Sequence, residues 1–217
     1  TRLKVSIRNC PKALRTYNSP NDPVMIDYLG SSTLIQANHP EIQETSRNII
    51  GEEKNPYRII ELIIAYLNEN LTVGGAYQDA LMVNRSKQTS GCGASAHIFV
   101  ALSRAAGIPA RTIAGIHSLR PGEYNWQINN FGTHIWAEFY LPNYGWIPVD
   151  PMWPDGPIMA ISEGNRLILS KNSDIDLGYG RGVVPWFHMP HVNTHQEEEN
   201  DINLSIELLG IEDSPGY

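Results

Sequence analysis

No stretch of this chain limits its fold as tightly as residues 90–116, SGCGASAHIFVALSRAAGIPARTIAGI. From Ala94 to Ala106 the segment is rich in good helix formers, and Gly107 and Pro109 close it. Ile98, Phe99, Val100, Leu102, Ala105 and Ala106 cover most of the helical circumference. A helix that is apolar nearly all round has to be buried. Ser90 is a good N-cap residue, and Gly91 and Gly93 allow other groups to approach the backbone closely. Cys92 then lies at the N-terminus of a buried central helix, where unpaired N–H groups and the helix dipole favour a thiolate. A lone cysteine is more often a small buried hydrophobe than a nucleophile, so a chemical role needs a second signal.

That signal is downstream, in residues 132–151, GTHIWAEFYLPNYGWIPVDP. His134, Trp136, Glu138 and Tyr140 alternate with Ile135, Ala137, Phe139 and Leu141. This is the pattern of a strand whose aliphatic side faces the core and whose other side is polar and aromatic. Pro142 to Gly145 reads as a turn, and Trp146 to Asp150 as the returning strand. Pro148 has no N–H for a ladder, so the returning strand belongs at a sheet edge or carries a bulge. His134 and Asp150 share a face of a regular hairpin only if the loop length is odd; an even loop would need a bulge near Pro148.

The rest of the chain supplies the surroundings. Leu3, Val5 and Ile7 alternate as a strand would, before Pro11, Pro20 and Pro23 break the pattern. Asn38-His39-Pro40 starts a helix with the face Ile42, Ser46, Ile49, which Gly51 stops. Asn55-Pro56 starts another, with the stripe Ile60, Ile63, Ile64, Leu67, running to about Asn70. Gly74-Gly75 breaks the chain, a short helix spans Asp79 to Val83, and Asn84 to Thr89 reads as a polar loop. Arg111 to Ile116 reads as a strand, residues 118–131 as a polar loop with Arg120, Tyr124 and Trp126, and Arg166–Ser170 and Asn203–Leu209 as further strands. The expected division is an N-terminal extension over 1–27, a catalytic domain over 28–180, and strands completing it over 181–217.

A thiol nucleophile needs a base to take its proton and a third group to orient that base. Cys92, His134 and Asp150, in that order, supply those roles. G-C-x-x-x-A, L-x-R-x-x-G-I-P-A-R, H-x-W-x-E and G-W-x-x-V-D-P follow one another here, and together they resemble the transglutaminase-like superfamily, a branch of the papain-like cysteine enzymes of bacterial and archaeal type. The resemblance covers roughly residues 28–152. It implies an α+β fold with a papain-like core, the Cys-bearing helix packed on an antiparallel β-sheet, and Cys92, His134 and Asp150 as a catalytic triad without a cofactor. Arg104, Arg111 and Glu138 also match, and read as partners of buried polar groups. Val73 stands where many members have an aromatic residue, which leaves the side-chain oxyanion donor open between Tyr77 and Gln78. His97 reads as a satisfied helix histidine.

The formal net charge of −7 argues against a nucleic-acid binder, which needs a basic footprint. No apolar stretch is long enough to insert across a bilayer. Cys10 and Cys92 are the only cysteines and form no disulfide framework. A start at Thr1 without a signal-peptide pattern reads as a processed or trimmed product, with cytoplasmic and secreted or periplasmic locations both open. The expected partner is a peptide or protein substrate; the oligomeric state is open.

Trp126, Trp136, Trp146 and Trp153 could wall an amine tunnel or line a peptide cleft, so three functional readings stand. Peptide or amide hydrolysis asks least of the protein. Protein-glutamine gamma-glutamyl transfer needs an amine held away from water. The third is a non-catalytic or metal-binding module; the metal site would use His188, His191 and His195, followed by Glu197, although Pro190 precludes a regular helix there and no cysteine accompanies them. The acidic run Glu197-Glu198-Glu199 lacks the alternating spacing of a calcium loop.

Overall fold

A computed structural model describes residues 27–76, 79–118, 131–142, 144–152, 166–171, 174–175 and 184–185. The expectations for residues 1–26, Cys10, Tyr77, Gln78, Trp126, Trp153, the histidines 188, 191 and 195, the acidic run and the strand 203–209 lie outside them, as does most of the polar loop.

Among the described residues, four helices of seven or more residues precede or carry the cysteine. Helix α1, Pro40–Ile50, is capped by the His39 side chain and ended by Gly51 at φ 53°. Helix α2, Pro56–Asn70, begins where the Asn55 side chain accepts from the Tyr57 N–H, and buries Ile60, Ile63, Ile64 and Leu67. Helix α3, Ala80–Ser86, is capped by Asp79 and runs three residues further than its pattern suggested. Helix α4, Cys92–Ala105, is buried from Ala94 through Arg104. The short strands β1, Thr72–Val73, and β2, Gln88–Thr89, pair in parallel. This pair falls at the glycine break and in the segment read as polar loop. Two residues per strand are too few to carry a period-2 pattern.

Strands β3, Ala110–Ser118, β4, Phe131–Leu141, β5, Gly145–Val149, and β6, Arg166–Ser170, form an antiparallel sheet in the order β5-β4-β3-β6. Two further short strands, β7, Asp174–Ile175, and β8, Val184–Pro185, pair separately. The β4–β5 register runs without a bulge from Leu141↔Gly145 to Ala137↔Val149, so the loop is odd, at three residues. Alternation then places His134, Trp136 and Asp150 on one face. Ala137, Phe139 and Leu141 join Ile98, Phe99 and Leu102 of α4 in the core on the other.

Pro148, on β5 at one edge of this sheet, faces Glu138 of β4. The Tyr140 N–H donates to the Pro109 carbonyl on the β3 side. Backbone groups of the even-numbered β4 residues therefore point toward β3, and Pro148 turns its N-side outward. The proline removes no ladder hydrogen bond.

Polar side chains tie the layers together. Ser46 Oγ donates to the Leu102 carbonyl at 3.0 Å, joining α1 to α4. Arg104 Nε donates to the Ala110 carbonyl at 2.8 Å, and Nη1 to the Gly30 carbonyl at 2.6 Å. Arg111 and Glu138, both buried, pair at 2.7 Å, and the Arg111 guanidinium lies 3.9 Å from the centroid of the Trp146 ring. Among the described residues no helix is long and apolar enough to cross a membrane. Replacing Arg104 by Met keeps the stem but strands two carbonyls. Urea unfolding of Arg104→Met should show a loss of about 1–3 kcal/mol, with an unchanged m-value.

Candidate active site

Strand β4 runs on past the end of β5, and the site lies in the notch this leaves. The last β4–β5 pair is Ala137↔Val149, so Ile135 has no ladder partner on that side. Helix α4 brings its first turn to this point. A Cβ on Gly93 would meet Ile135 Cδ1 at 3.2 Å, tighter than most carbon contacts, so glycine lets the helix end come this close. Cys92 is half-buried and free. Its sulfur is hydrogen-bonded to the His134 side chain and to the backbone N–H groups of Ile135 and Gly93.

Asp150 follows the last residue of β5 and meets His134 from the other side. His134 Nε2 donates to Asp150 Oδ2 at 2.6 Å, with both side chains buried. The Met152 N–H donates to the other carboxylate oxygen at 3.3 Å. With Nε2 taken by the carboxylate, Nδ1 is the imidazole nitrogen left for the sulfur.

Burial pushes the Cys92 thiol up, but the His134 hydrogen bond, the Ile135 N–H, the imidazole's charge and the Gly93 N–H outweigh it, and the pKa is lowered. Burial likewise works against the charged form of His134, yet hydrogen bonds to Asp150 and Cys92 and both their charges raise it to about 9. The two directions agree: both favour a thiolate beside an imidazolium.

Two sequence expectations need revising. Ser90 is exposed and is not the N-cap; Gly91 is, at φ 139° and ψ −157°, a conformation that a residue with a Cβ rarely adopts. Trp136 is only 2% exposed, so it offers substrate almost no surface. It stacks near His134 instead, with centroids 6.2 Å apart and rings 22° from parallel. His97 is fully buried on α4. Among the described residues no cluster of three His, Cys, Asp or Glu could hold a metal.

Sequence reasoning passed over Thr89 and Ser95. Their buried hydroxyls are 3.0 Å apart beside the Gly91 turn. The legible trace was a pair of hydroxyl residues three before and three after the cysteine.

Residues 43–151 match the family model of the transglutaminase-like superfamily. The chain is 35% identical over 162 residues to an uncharacterised protein of Haemophilus influenzae, covering 64% of this chain and 44% of that protein. It is 37% identical over 73 residues to the protein-glutamine gamma-glutamyltransferase of Pseudomonas aeruginosa, covering 33% of this chain and 11% of that enzyme. The chain thus spans less than half the length of these relatives. A crystal structure of a candidate cysteine protease from Cytophaga hutchinsonii superimposes with a TM-score of 0.54 at 19% identity, covering 70% of this chain and 48% of that one. At that identity the likeness is one of fold.

In a Cys10→Ser background, Cys92 should react with iodoacetamide at pH 7 faster than a free thiol. Asp150→Asn removes the hydrogen bond and charge that raise the His134 pKa, so the imidazolium fraction falls and the thiolate loses its partner. Mass spectrometry of briefly labelled protein should show alkylation slowed on the order of tenfold, the loss of about one charge-assisted hydrogen bond.

Proposed function

The chain belongs to the transglutaminase-like superfamily, and from its thiol–imidazole–carboxylate array we propose cysteine-dependent acyl transfer at amide bonds, ending in hydrolysis of a peptide or protein substrate. The observation that carries this reading is the geometry: the Cys92 sulfur hydrogen-bonded to a His134 imidazole that Asp150 holds from its other side at 2.6 Å.

The steps follow from the charges. The Cys92 thiolate attacks the amide carbonyl carbon, a C–S bond forms, and the carbonyl oxygen takes the negative charge. The Cys92 backbone N–H, first in its helix, donates to that oxygen. Collapse breaks the C–N bond, and His134 gives its proton to the departing amine. A thioester remains beside a neutral imidazole. His134 then takes a proton from water as the oxygen attacks the thioester. The C–S bond breaks, the acid leaves, and thiolate and imidazolium are restored. Asp150 holds the imidazole in orientation throughout and offsets its positive charge.

A second reading replaces water by an amine. The likeness to the Pseudomonas gamma-glutamyltransferase favours it, and the thioester is common to both. Hydrolysis asks less of the site, because an amine must be oriented and water kept out. Casein offered together with dansylcadaverine separates them. We expect peptide or ammonia release without dansyl incorporation, lost on Cys92→Ala. Cys92-dependent incorporation that outpaces release would establish the transferase reading, and a Cys92→Ala variant as active as wild type would end both.

The ion pair also sets the pH profile. Protonating Cys92 as pH falls, or deprotonating His134 as pH rises, destroys the reactive form. The kcat/KM profile should be a bell whose alkaline limb falls near pH 9 and whose acid limb lies below the ordinary thiol range, the two limbs belonging to the coupled pair. In Asp150→Asn the alkaline limb should move to lower pH.

A further inference from the structure

The residue preceding Ser90 does more than end strand β2. Thr89 is 3% exposed, and its hydroxyl oxygen makes three contacts. It donates to the Gly91 carbonyl at 2.9 Å, accepts from the Gly91 N–H at 3.2 Å, and lies 3.0 Å from Ser95 Oγ. With the Thr89 proton committed to Gly91, Ser95 is the donor in the third. Ser95 is itself 3% exposed, and its backbone N–H donates to the same Gly91 carbonyl at 3.0 Å. Two donors therefore fix one carbonyl oxygen.

That oxygen belongs to the peptide group whose nitrogen is Cys92 N. A peptide unit is planar, with its C=O and N–H pointing in opposite directions, so whatever fixes the Gly91 carbonyl aims the Cys92 N–H. Gly91, at φ 139°, supplies no side chain to do this. Donation to the carbonyl also polarises the group and strengthens its N–H as a donor. We infer that Thr89 is a positioning residue for acyl transfer: its hydroxyl, braced by Ser95, holds the Gly91–Cys92 peptide so that the Cys92 N–H meets the oxyanion. This rests on the acyl-transfer reading above. The Thr89 hydroxyl touches no reacting atom, and it bonds to Gly91 and Ser95 rather than to the groups that hold the sulfur, His134 and the Ile135 and Gly93 N–H groups.

The inference separates two reactions of the same sulfur. Ester hydrolysis passes through an oxyanion, whereas alkylation by iodoacetamide does not. With p-nitrophenyl acetate as substrate and the Cys92→Ala rate subtracted, Thr89→Val should lower kcat by about tenfold to a hundredfold, somewhat less than outright loss of an oxyanion donor. KM should stay within about twofold, as expected when only transition-state binding is lost. Alkylation of Cys92 should also stay within about twofold, since the thiolate is untouched. Thr89→Ser should restore most of kcat, and Ser95→Ala, the test if Thr89→Val does not fold, should fall between Thr89→Ser and wild type on one side and Thr89→Val on the other. In two-dimensional NMR the Cys92 amide resonance should shift in Thr89→Val and return in Thr89→Ser. Wild-type kcat in Thr89→Val, parallel losses of kcat and alkylation, or Thr89→Ser no better than Thr89→Val would overturn the inference. Hydrolysis unaffected by Cys92→Ala would instead remove the acyl-transfer reading, and the Cys92 amide resonance would then decide by itself whether Thr89 holds that peptide.

Discussion

The site depends on a helix that has no polar side to spare. Because α4 is buried from Ala94 to Arg104, its axis is set by packing against α1, α2, α3 and the sheet, and its polar groups can emerge only at its ends. The C-terminal end is taken up by structural contacts through Arg104. The N-terminal end carries Cys92, and the core decides where it comes out: beside β4, beyond the last residue of β5. A half-exposed helix could slide or tilt against its neighbours with little loss of buried area. This one cannot, since a displacement opens voids among Ile98, Phe99 and Leu102, and buried side chains of that size stabilise by several kcal/mol each.

The unequal lengths of β4 and β5 complete the arrangement. Had the ladder continued one pair further, the Ile135 N–H would face a β5 carbonyl and the sulfur would lose a donor. Stopping at Val149 frees that donor and puts Asp150 at the strand end, close enough to take His134 from the side away from the sulfur. Burial opposes charge on both Cys92 and His134. The same low-dielectric surroundings strengthen the hydrogen bonds that favour it. Charge survives in the notch because each charged atom has a partner.

Much of this could be read in the residues, wherever a periodic pattern ran long enough. The face of α2, the alternation of β4 and the all-round apolarity of α4 each repeat over several turns or pleats, and each formed the expected element. Proline at 148 announced an edge strand or a bulge for a backbone reason independent of neighbours, and β5 is an edge strand among the described residues. The start of α4 was less legible, because Ser90 and Gly91 are both acceptable before a helix and the choice depends on the Thr89–Ser95 hydroxyls. The β1–β2 pair is too short to have a period. Trp136 looked available to substrate, since alternation says which face a residue takes but not whether that face is covered. Here Ile113 and Trp136 are both buried on it, and Tyr28 packs edge-on against Trp146 at 4.9 Å.

The outward-turned proline of β5 bears on how copies of this chain behave in a crowd. An edge strand offers a row of unpaired donors and acceptors on which another extended chain can template itself. Among the described residues β5 lies at a sheet edge and is only five residues long, and Pro148 replaces one of its outward N–H groups with a ring. A strand arriving from a second molecule would find the hydrogen-bond row interrupted at Pro148 and a pyrrolidine in the way. The residue that leaves the internal ladder intact therefore also makes this edge a poor seed for aggregation, right beside the open notch of the site.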